Sequence, residues 1–556
     1  MPGKSQTEPP ASGSVSVEQK GRFFSFTDAI GWRGLVAMFL LAVFAACQAA
    51  HSYSRTHSRS TVLLEAIGLC CVLAVFVWIR LDKDNAEKHL ARYWVVAASL
   101  LGVCFCFLMP PGTVPDEPLH FQSAYYYSDV FLGDSAVESN MIAVRACDSD
   151  NVFYTDADGQ NDSLAKRSDY QNIISTWSWS AENEEMIDEP IQLSSPMVSS
   201  AVSLNPIWIR LPAALGITIA RLLGLGAYPL YYLGRLFDLV AFIAIVYFAI
   251  RITPVGKGVL ISASLLPMTL HLASSYSYDS MIIGLSFLLL AFCLKAIYGE
   301  GTVSIGNCIG IGALTLLLAT PKIIYALIGL LVFLVPSKRF SSRRNEVLVK
   351  TVIPLVFVCF TLAVESSRLL ALSGSSVAAG DGLDYRGDET GHFVTLSDIV
   401  QHPRHALGVF FNTLAAYGDF WFFGMITGPL GWFQGGLAAP NVIAVFFFLV
   451  LVLSTLASSV DRVIPSAIQR VGYIFIVCMT ALAVVASMWL GWTFDNDIVI
   501  QGVQGRYFLP ILPLLLFALR SKNMLYQGIS SGRVLVSMLF LNLVNVVSVY
   551  SGILMA

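Results

Sequence analysis

The chain has 556 residues, of which 56% are hydrophobic and only 13% charged, and its mean hydropathy is +0.68. A soluble globule carries about a quarter charged residues, so this composition excludes a water-soluble domain and fits helices solvated by lipid. The net charge of −3 conceals a segregation: 16 acidic against 3 basic residues lie between Pro110 and Asn205, leaving 31 basic against 21 acidic elsewhere.

Residues 1–33 are polar and rich in Pro, Ser and Gly, and read as a disordered cytoplasmic tail. Apolar runs of spanning length follow near 34–50, 61–79 and 94–109. The basic flanks (Lys4, Lys20, Arg22 and Arg33, then the loop Arg80 to Arg92) place the N-terminus inside, and the third span delivers the acidic loop 110–205 to the outside. After Asn205-Pro206, residues 206–227 carry Arg210 and Arg221 and read as an amphipathic helix in the membrane interface. Further spans are expected near 230–250, 259–275, 280–297, 305–320, 322–336 and 350–366, with the basic connector Ser337 to Lys350 inside.

A second acidic outer loop runs from 367 to 408. The aromatic stretch 410–433 is broken by Gly418, Asp419, Gly424, Gly428, Pro429 and Gly431. We read it as interfacial or re-entrant, because this keeps the connectors with Arg462 and Arg470 and with Arg520, Lys522 and Arg533 on the cytoplasmic side. The last spans lie near 441–459, 471–490, 506–520 and 534–553, giving an all-α, multi-pass plasma-membrane protein of about 13 helices. Its divisions are the tail 1–33, two helices in 34–93, a core 94–366, the outer region 367–440 and the C-terminal helices 441–556. Nine of the ten cysteines lie in apolar runs and only Cys147 in a long polar loop, so no disulfide framework is expected. Asn161-Asp162-Ser163 fits a glycosylation acceptor pattern.

Four sites carry candidate chemistry. Pro115-Asp116-Glu117-Pro118-Leu119-His120 opens the first outer loop, with prolines that stiffen the backbone around two carboxylates at the membrane edge. Such a carboxylate suits a general base, and its neighbour could tune it or hold a metal. Gln504-Gly505-Arg506-Tyr507 sits at the outer mouth of a late helix, where an Arg and glycines that admit a ligand to backbone amides suit a phosphate. Lys322 lies on the outer side, against the positive-inside trend, and suggests a bound anion. Tyr276, Tyr278 and Asp279 form a further outer turn, with Asp279 as an acceptor-binding or supporting group. Arg235 and Asp238, three apart in one apolar run, are expected to satisfy each other. No P-loop, Cys/His metal cluster or dinucleotide fingerprint is present, which argues against ATP-driven transport by this chain alone.

In order, Pro115-Asp116-Glu117-x-x-His120, Tyr278-Asp279-Ser280, Pro321-Lys322 with Tyr325, Gly431-Trp432 and Gln504-Gly505-Arg506-Tyr507-Phe508-Leu509-Pro510 resemble the bacterial membrane family catalogued as domain of unknown function 2142, from about residue 95 onward. That family in turn resembles the GT-C class of polytopic glycosyltransferases, a likeness of architecture. The resemblance implies a sugar donor on a polyprenyl phosphate, an extracytoplasmic glycan acceptor and contact with membrane lipids; no nucleic-acid partner is expected. It implies that Asp116 or Glu117 deprotonates the acceptor, with inversion at the anomeric centre, and that His120 positions the acceptor or the neighbouring acid. Arg506 and Lys322, with Gln504 and Tyr507, would hold the donor phosphate, and Tyr278, Asp279 and Tyr325 would line the acceptor side. A divalent metal (Mg or Mn) at Asp116 and Glu117 is compatible with it, although no further ligand set is visible. Two alternatives stay open: a transporter or flippase of lipid-linked sugars, and a non-catalytic assembly subunit of cell-envelope polysaccharide synthesis.

Overall fold

The computed structural model describes residues 26–82, 85–133, 141–152, 165–181, 186, 191–192, 206–364, 384–386, 389–431, 437, 439–457, 461–521 and 530–556. Residues 1–25 of the tail read as 1–33, the sequon at Asn161, Trp432 and Lys522 lie outside the described residues, and the end of that tail is corrected: from Phe26 it is already helical, with a kink at Gly31. In chain order the helices are α1 Phe26–Thr56, α2 Arg59–Leu81, α3 Ala86–Leu108, α4 Glu117–Leu132, α5 Ala146–Asn151, α6 Arg167–Ser175, α7 Leu211–Leu222, α8 Ala227–Ile252, α9 Lys257–Ser264 and α10 Pro267–Ala273. There follow α11 Asp279–Tyr298, α12 Ile305–Lys322, α13 Arg343–Val364, α14 Leu396–Gln401, α15 Pro403–Ile426, α16 Asn441–Ser454, α17 Ala467–Trp492, α18 Leu512–Ala518 and α19 Ser531–Met555. Two short two-stranded ladders are the only sheets among the described residues.

Nine segments among the described residues are long and apolar enough to cross a membrane, and shorter apolar helices lie at 211–222, 441–454 and 505–518. One of the nine, Ile305–Leu334, is a hairpin. Its first limb is α12 and its second the 3-10 helix Ile323–Leu334. A Cβ on Gly329 would lie 2.4 Å from Thr315 Oγ1, and the amide of Val303 donates to the carbonyl of Arg339 at 2.7 Å, so the limbs run antiparallel and the chain turns at Pro321-Lys322. Lys322 is therefore a tip residue.

Apolar side chains follow the solvent logic of lipid. Helix α11 is almost wholly enclosed, whereas α13 exposes Val347, Leu348, Leu355 and Leu362. Inside, every break in the ladder needs a partner. Pro267 interrupts the α9–α10 pass, and Asn542 Nδ2 donates to the freed carbonyl of Leu265 at 2.7 Å, while Trp94 Nε1 donates to Ser264 at 2.9 Å.

Helix α7 buries Ala213, Ala214, Ile217 and Ala220 and exposes Leu211, Leu215, Ile219 and Leu222 at helical spacing, so both of its faces are largely apolar. Its two arginines turn inward: Arg221 pairs with Asp129 of α4 at 2.5 Å, and Arg210, just before the helix, is buried. The stretch 410–433 differs from its reading as a broken segment. Helix α15 runs uninterrupted through Gly418 and Gly424, and the left-handed glycines, Gly428 and Gly431, come only after its end. Side chains of α15 itself hold it against a neighbouring backbone. Thr413 Oγ1 accepts from the Ile500 amide at 2.8 Å and Trp421 donates to the Val503 carbonyl at 2.9 Å, pinning both halves to the 498–505 segment.

Candidate functional site

The site is built at one end of the bundle by turns from separate passes. Between α3 and α4 the chain reverses through Pro110, Pro111 and Gly112, whose amide donates to the Tyr231 hydroxyl at 3.0 Å. Asp116 then adopts left-handed backbone (φ 60°, ψ 6°), a conformation that Asp and Asn tolerate better than other non-glycine residues. It occupies the N-cap position of α4, but its side chain makes no cap hydrogen bond. The carboxylate is 40% exposed and instead meets Arg506 Nη2 at 3.1 Å.

The adjacent carboxylate has the opposite fate. Glu117 is completely buried, and Arg235 grips it with Nε to Oε1 at 2.8 Å and Nη2 to Oε2 at 2.6 Å. Arg235 also donates to the carbonyls of Cys106 and Met109, at 2.8 and 2.6 Å, tying off the last turn of α3. This corrects the expected Arg235–Asp238 pairing. A carboxylate 118 residues away along the chain offers a two-pronged acceptor that the neighbour on the same helix does not. Glu117 thus fixes the turn that aims Asp116.

Three cations and two rings alternate beside Asp116. Arg210 lies 4.7 Å from the Tyr278 ring centre, and Lys322 lies 5.1 Å from that ring and 4.7 Å from the Tyr507 ring. Arg506 is 5.6 Å from Tyr507. Ring faces are negative, so they separate like charges that would otherwise repel. Asp279 bridges two of the cations, at 2.7 Å from Lys322 and 3.5 Å from Arg506. Three positive charges against the carboxylates Asp116 and Asp279 leave the cluster with one net positive charge. His120 closes the far side, its Nδ1 2.9 Å from Arg210 Nη2 and its ring edge-to-face with Tyr278 at 5.0 Å. Burial, then the charges of Arg210, Arg506 and Lys322, hold the His120 imidazole well below its ordinary pKa, so it is neutral.

The Gln504-Gly505-Arg506 glycine works differently from the expected ligand contact. A Cβ on Gly505 would lie 2.2 Å from the Trp421 carbonyl oxygen, so the backbone of α15 fills the space. The glycine lets Arg506 approach that helix closely. Tyr325 sits behind the ladder, its hydroxyl donating to the Tyr507 carbonyl at 2.8 Å, and the Gln504 side-chain oxygen is buried without a partner among the described residues. A small pocket reaches Pro115, His271, Gln504 and Arg506. A separate cleft is lined by Tyr278, Lys322 and Tyr507 together with Ile323, Ile324 and Val484.

A divalent metal at Asp116 and Glu117 does not fit these residues. Both Glu117 oxygens are engaged by Arg235, and among the described residues no group of three His, Cys, Asp or Glu gathers. The structure brings Asp116, His120, Tyr278, Asp279, Lys322, Arg506 and Tyr507 into one cluster. Arg210 and Arg235 are the members sequence reasoning passed over. Arg210 was visible only as a charged residue of the segment read as an interfacial amphipathic helix.

Residues 99–515 match the family described as "Predicted membrane protein (DUF2142)", which is three quarters of the chain, and the chain belongs to that family. No curated protein and no solved structure matches it.

Proposed function

We propose that this chain transfers a sugar from a polyprenyl-phosphate donor to an extracytoplasmic acceptor at the Asp116–Arg506–Lys322 cluster. The observation that carries the reading is a half-exposed carboxylate, held in left-handed backbone, beside a cluster with a net positive charge. Asp116 takes the acceptor's hydroxyl proton as that oxygen attacks the anomeric carbon. The bond from that carbon to the phosphate oxygen breaks, its electron pair leaves with the polyprenyl phosphate, and the anomeric centre inverts. Arg506 and Lys322 meet the charge that develops on the phosphate.

Charge balance supports a phosphodiester donor. Its single negative charge neutralises the cluster before reaction. Afterwards the protonated Asp116 leaves the cluster with two positive charges, matching a phosphate dianion. The cleft beyond Lys322, lined by Ile323, Ile324 and Val484, offers an apolar course for the prenyl chain. The same reading puts the site outside the plasma membrane, the N-terminus in the cytoplasm and about 13 passes between them, counting the α12 hairpin as two and α9–α10 as one.

Transport of a lipid-linked sugar is the second reading, favoured by the broken α9–α10 helix, which is the device transporters use. Its freed Leu265 carbonyl is already taken by Asn542, which weighs for transfer. Labelled-sugar incorporation from polyprenyl-phosphate donors into surface glycan tests the choice. Loss in Asp116→Asn and Arg506→Ala, with donor still bound by Asp116→Asn, supports transfer. Full incorporation by Asp116→Asn removes the base from the scheme.

A further inference from the structure

The contact between Arg210 and His120 fixes more than a position. A guanidinium carries only donors, so the nitrogen facing it at 2.9 Å must accept, and the imidazole proton must sit on Nε2. A second proton on His120 would set an N–H against an N–H. We propose that Arg210 is a positioning residue that locks His120 as a neutral imidazole, and that His120 donates a hydrogen bond from Nε2 to a ligand oxygen and takes no proton during turnover. This rests on the reading of the cluster as a substrate site.

The surroundings agree from every side. Arg210 is buried, donates to the Tyr276 carbonyl at 3.4 Å and stacks on Tyr278; its Nε has no hydrogen-bond partner, and no carboxylate lies within 4 Å among the described residues. The groups facing His120 are Arg210 before α7, Tyr278 at the start of α11, Lys322 at the hairpin tip and Arg506 before α18, with Asp116 and Glu117 on its own turn. The nearest of these by direct contact, Arg210, is one that repels a second proton. The acceptor oxygen belongs to either the donor phosphate or the acceptor hydroxyl, both of which present lone pairs.

The test uses the full chain, labelled with 15N-histidine, in lipid nanodiscs without substrate. Subtracting the spectrum of His120→Gln assigns His120 among the eight histidines. One protonated Nε2 and one bare Nδ1 are expected from about pH 8 down to about pH 5. Arg210→Met should let the single ring proton populate Nδ1 as well as Nε2, and Arg210→Lys, which keeps a donor, should not. A wild-type His120 doubly protonated near pH 6, or protonated on Nδ1, overturns the proposal whether or not Arg210→Met folds. In the transfer assay, glutamine supplies an N–H near the Nε2 position, so His120→Gln should keep most of the activity that His120→Ala loses. A raised KM for the lipid donor in His120→Ala assigns the bond to phosphate, and a raised KM for the acceptor assigns it to the hydroxyl. Equal losses in both variants overturn the donor role. The spectra decide the tautomer even if the wild type transfers no sugar, so the two readings fail separately.

Discussion

Apart from Arg235, which ties off α3 at the site end, the two ends of the helical bundle use arginine differently. At the end away from the site, Arg520 donates to the carbonyls of Val463 and Asp461, at 2.7 and 2.6 Å, and pairs with the Asp461 carboxylate at 2.8 Å. Arg470 reaches the Ala518 carbonyl at 2.9 Å, and Arg339 reaches that of Ala296 at 3.0 Å. Arg470 and Arg339 fasten helix ends whose carbonyls have no helical partner, and Arg520 ties down the connector before α17. At the site end, Arg210 and Arg506 are laid against tyrosine rings, and each has a buried Nε without a hydrogen-bond partner. A cation held in part by a ring keeps one N–H, here Nε, free of hydrogen bonds. The contrast separates arginine as a fastener from arginine held ready for an anion.

The largest expected effect tests the site end. Asp116→Asn should lower transfer by about 10²–10⁴-fold, the usual reach of a general base, while the thermal transition in detergent stays where it was. A shift in that transition would make Asp116 a fold residue and blur the contrast. Next comes Arg235→Met, which strands Glu117 in the interior and should cost about 3–5 kcal/mol of stability, most of it recovered in Glu117→Met/Arg235→Met. Gly505→Ala should cost about 1–3 kcal/mol by pressing a methyl into α15, read as a lower thermal midpoint.

At the far end, Arg520→Lys loses part of the carbonyl fork, at about 0.5–1.5 kcal/mol for each net hydrogen bond, and should leave polyprenyl-phosphate affinity unchanged. A weaker affinity there would break the division between ends. The smallest effect is on pH. Because His120 is held below its unfolded value of 6.5, the unfolded chain binds a proton that the folded chain refuses. Its contribution is complete above pH 6.5 and declines as pH falls below it, which a denaturation series between about pH 8 and about pH 5 would measure as a slope removed by His120→Gln.

Much of this was legible from charge and periodicity. The turn at Pro321-Lys322 and the placing of Asp116, Asp279 and Arg506 at helix ends on one side follow from apolar runs ending in ionisable residues, because lipid forces such residues to helix ends or into pairs. The partners were less legible. Arg235 lies three residues from Asp238, and local spacing alone favours that pair; Glu117 wins because a long-range turn brings it into two-pronged register. Gly505 read as a ligand-facing glycine because sequence cannot say which backbone occupies the space, and α15 does. Continuity of α15 was missed for a related reason: glycines interrupt a helix only where the backbone needs their freedom, and Gly418 and Gly424 keep ordinary helical geometry.

The left-handed backbone at Asp116 also constrains how this protein can change over generations. Few residues accept that conformation, chiefly Asp, Asn and Gly. Asparagine and glycine are each one nucleotide from an aspartate codon. Glutamate, the other carboxylate, would carry the backbone strain. On the proposed function, a relative that had lost the chemistry while keeping the fold should most easily hold asparagine or glycine at the position of Asp116.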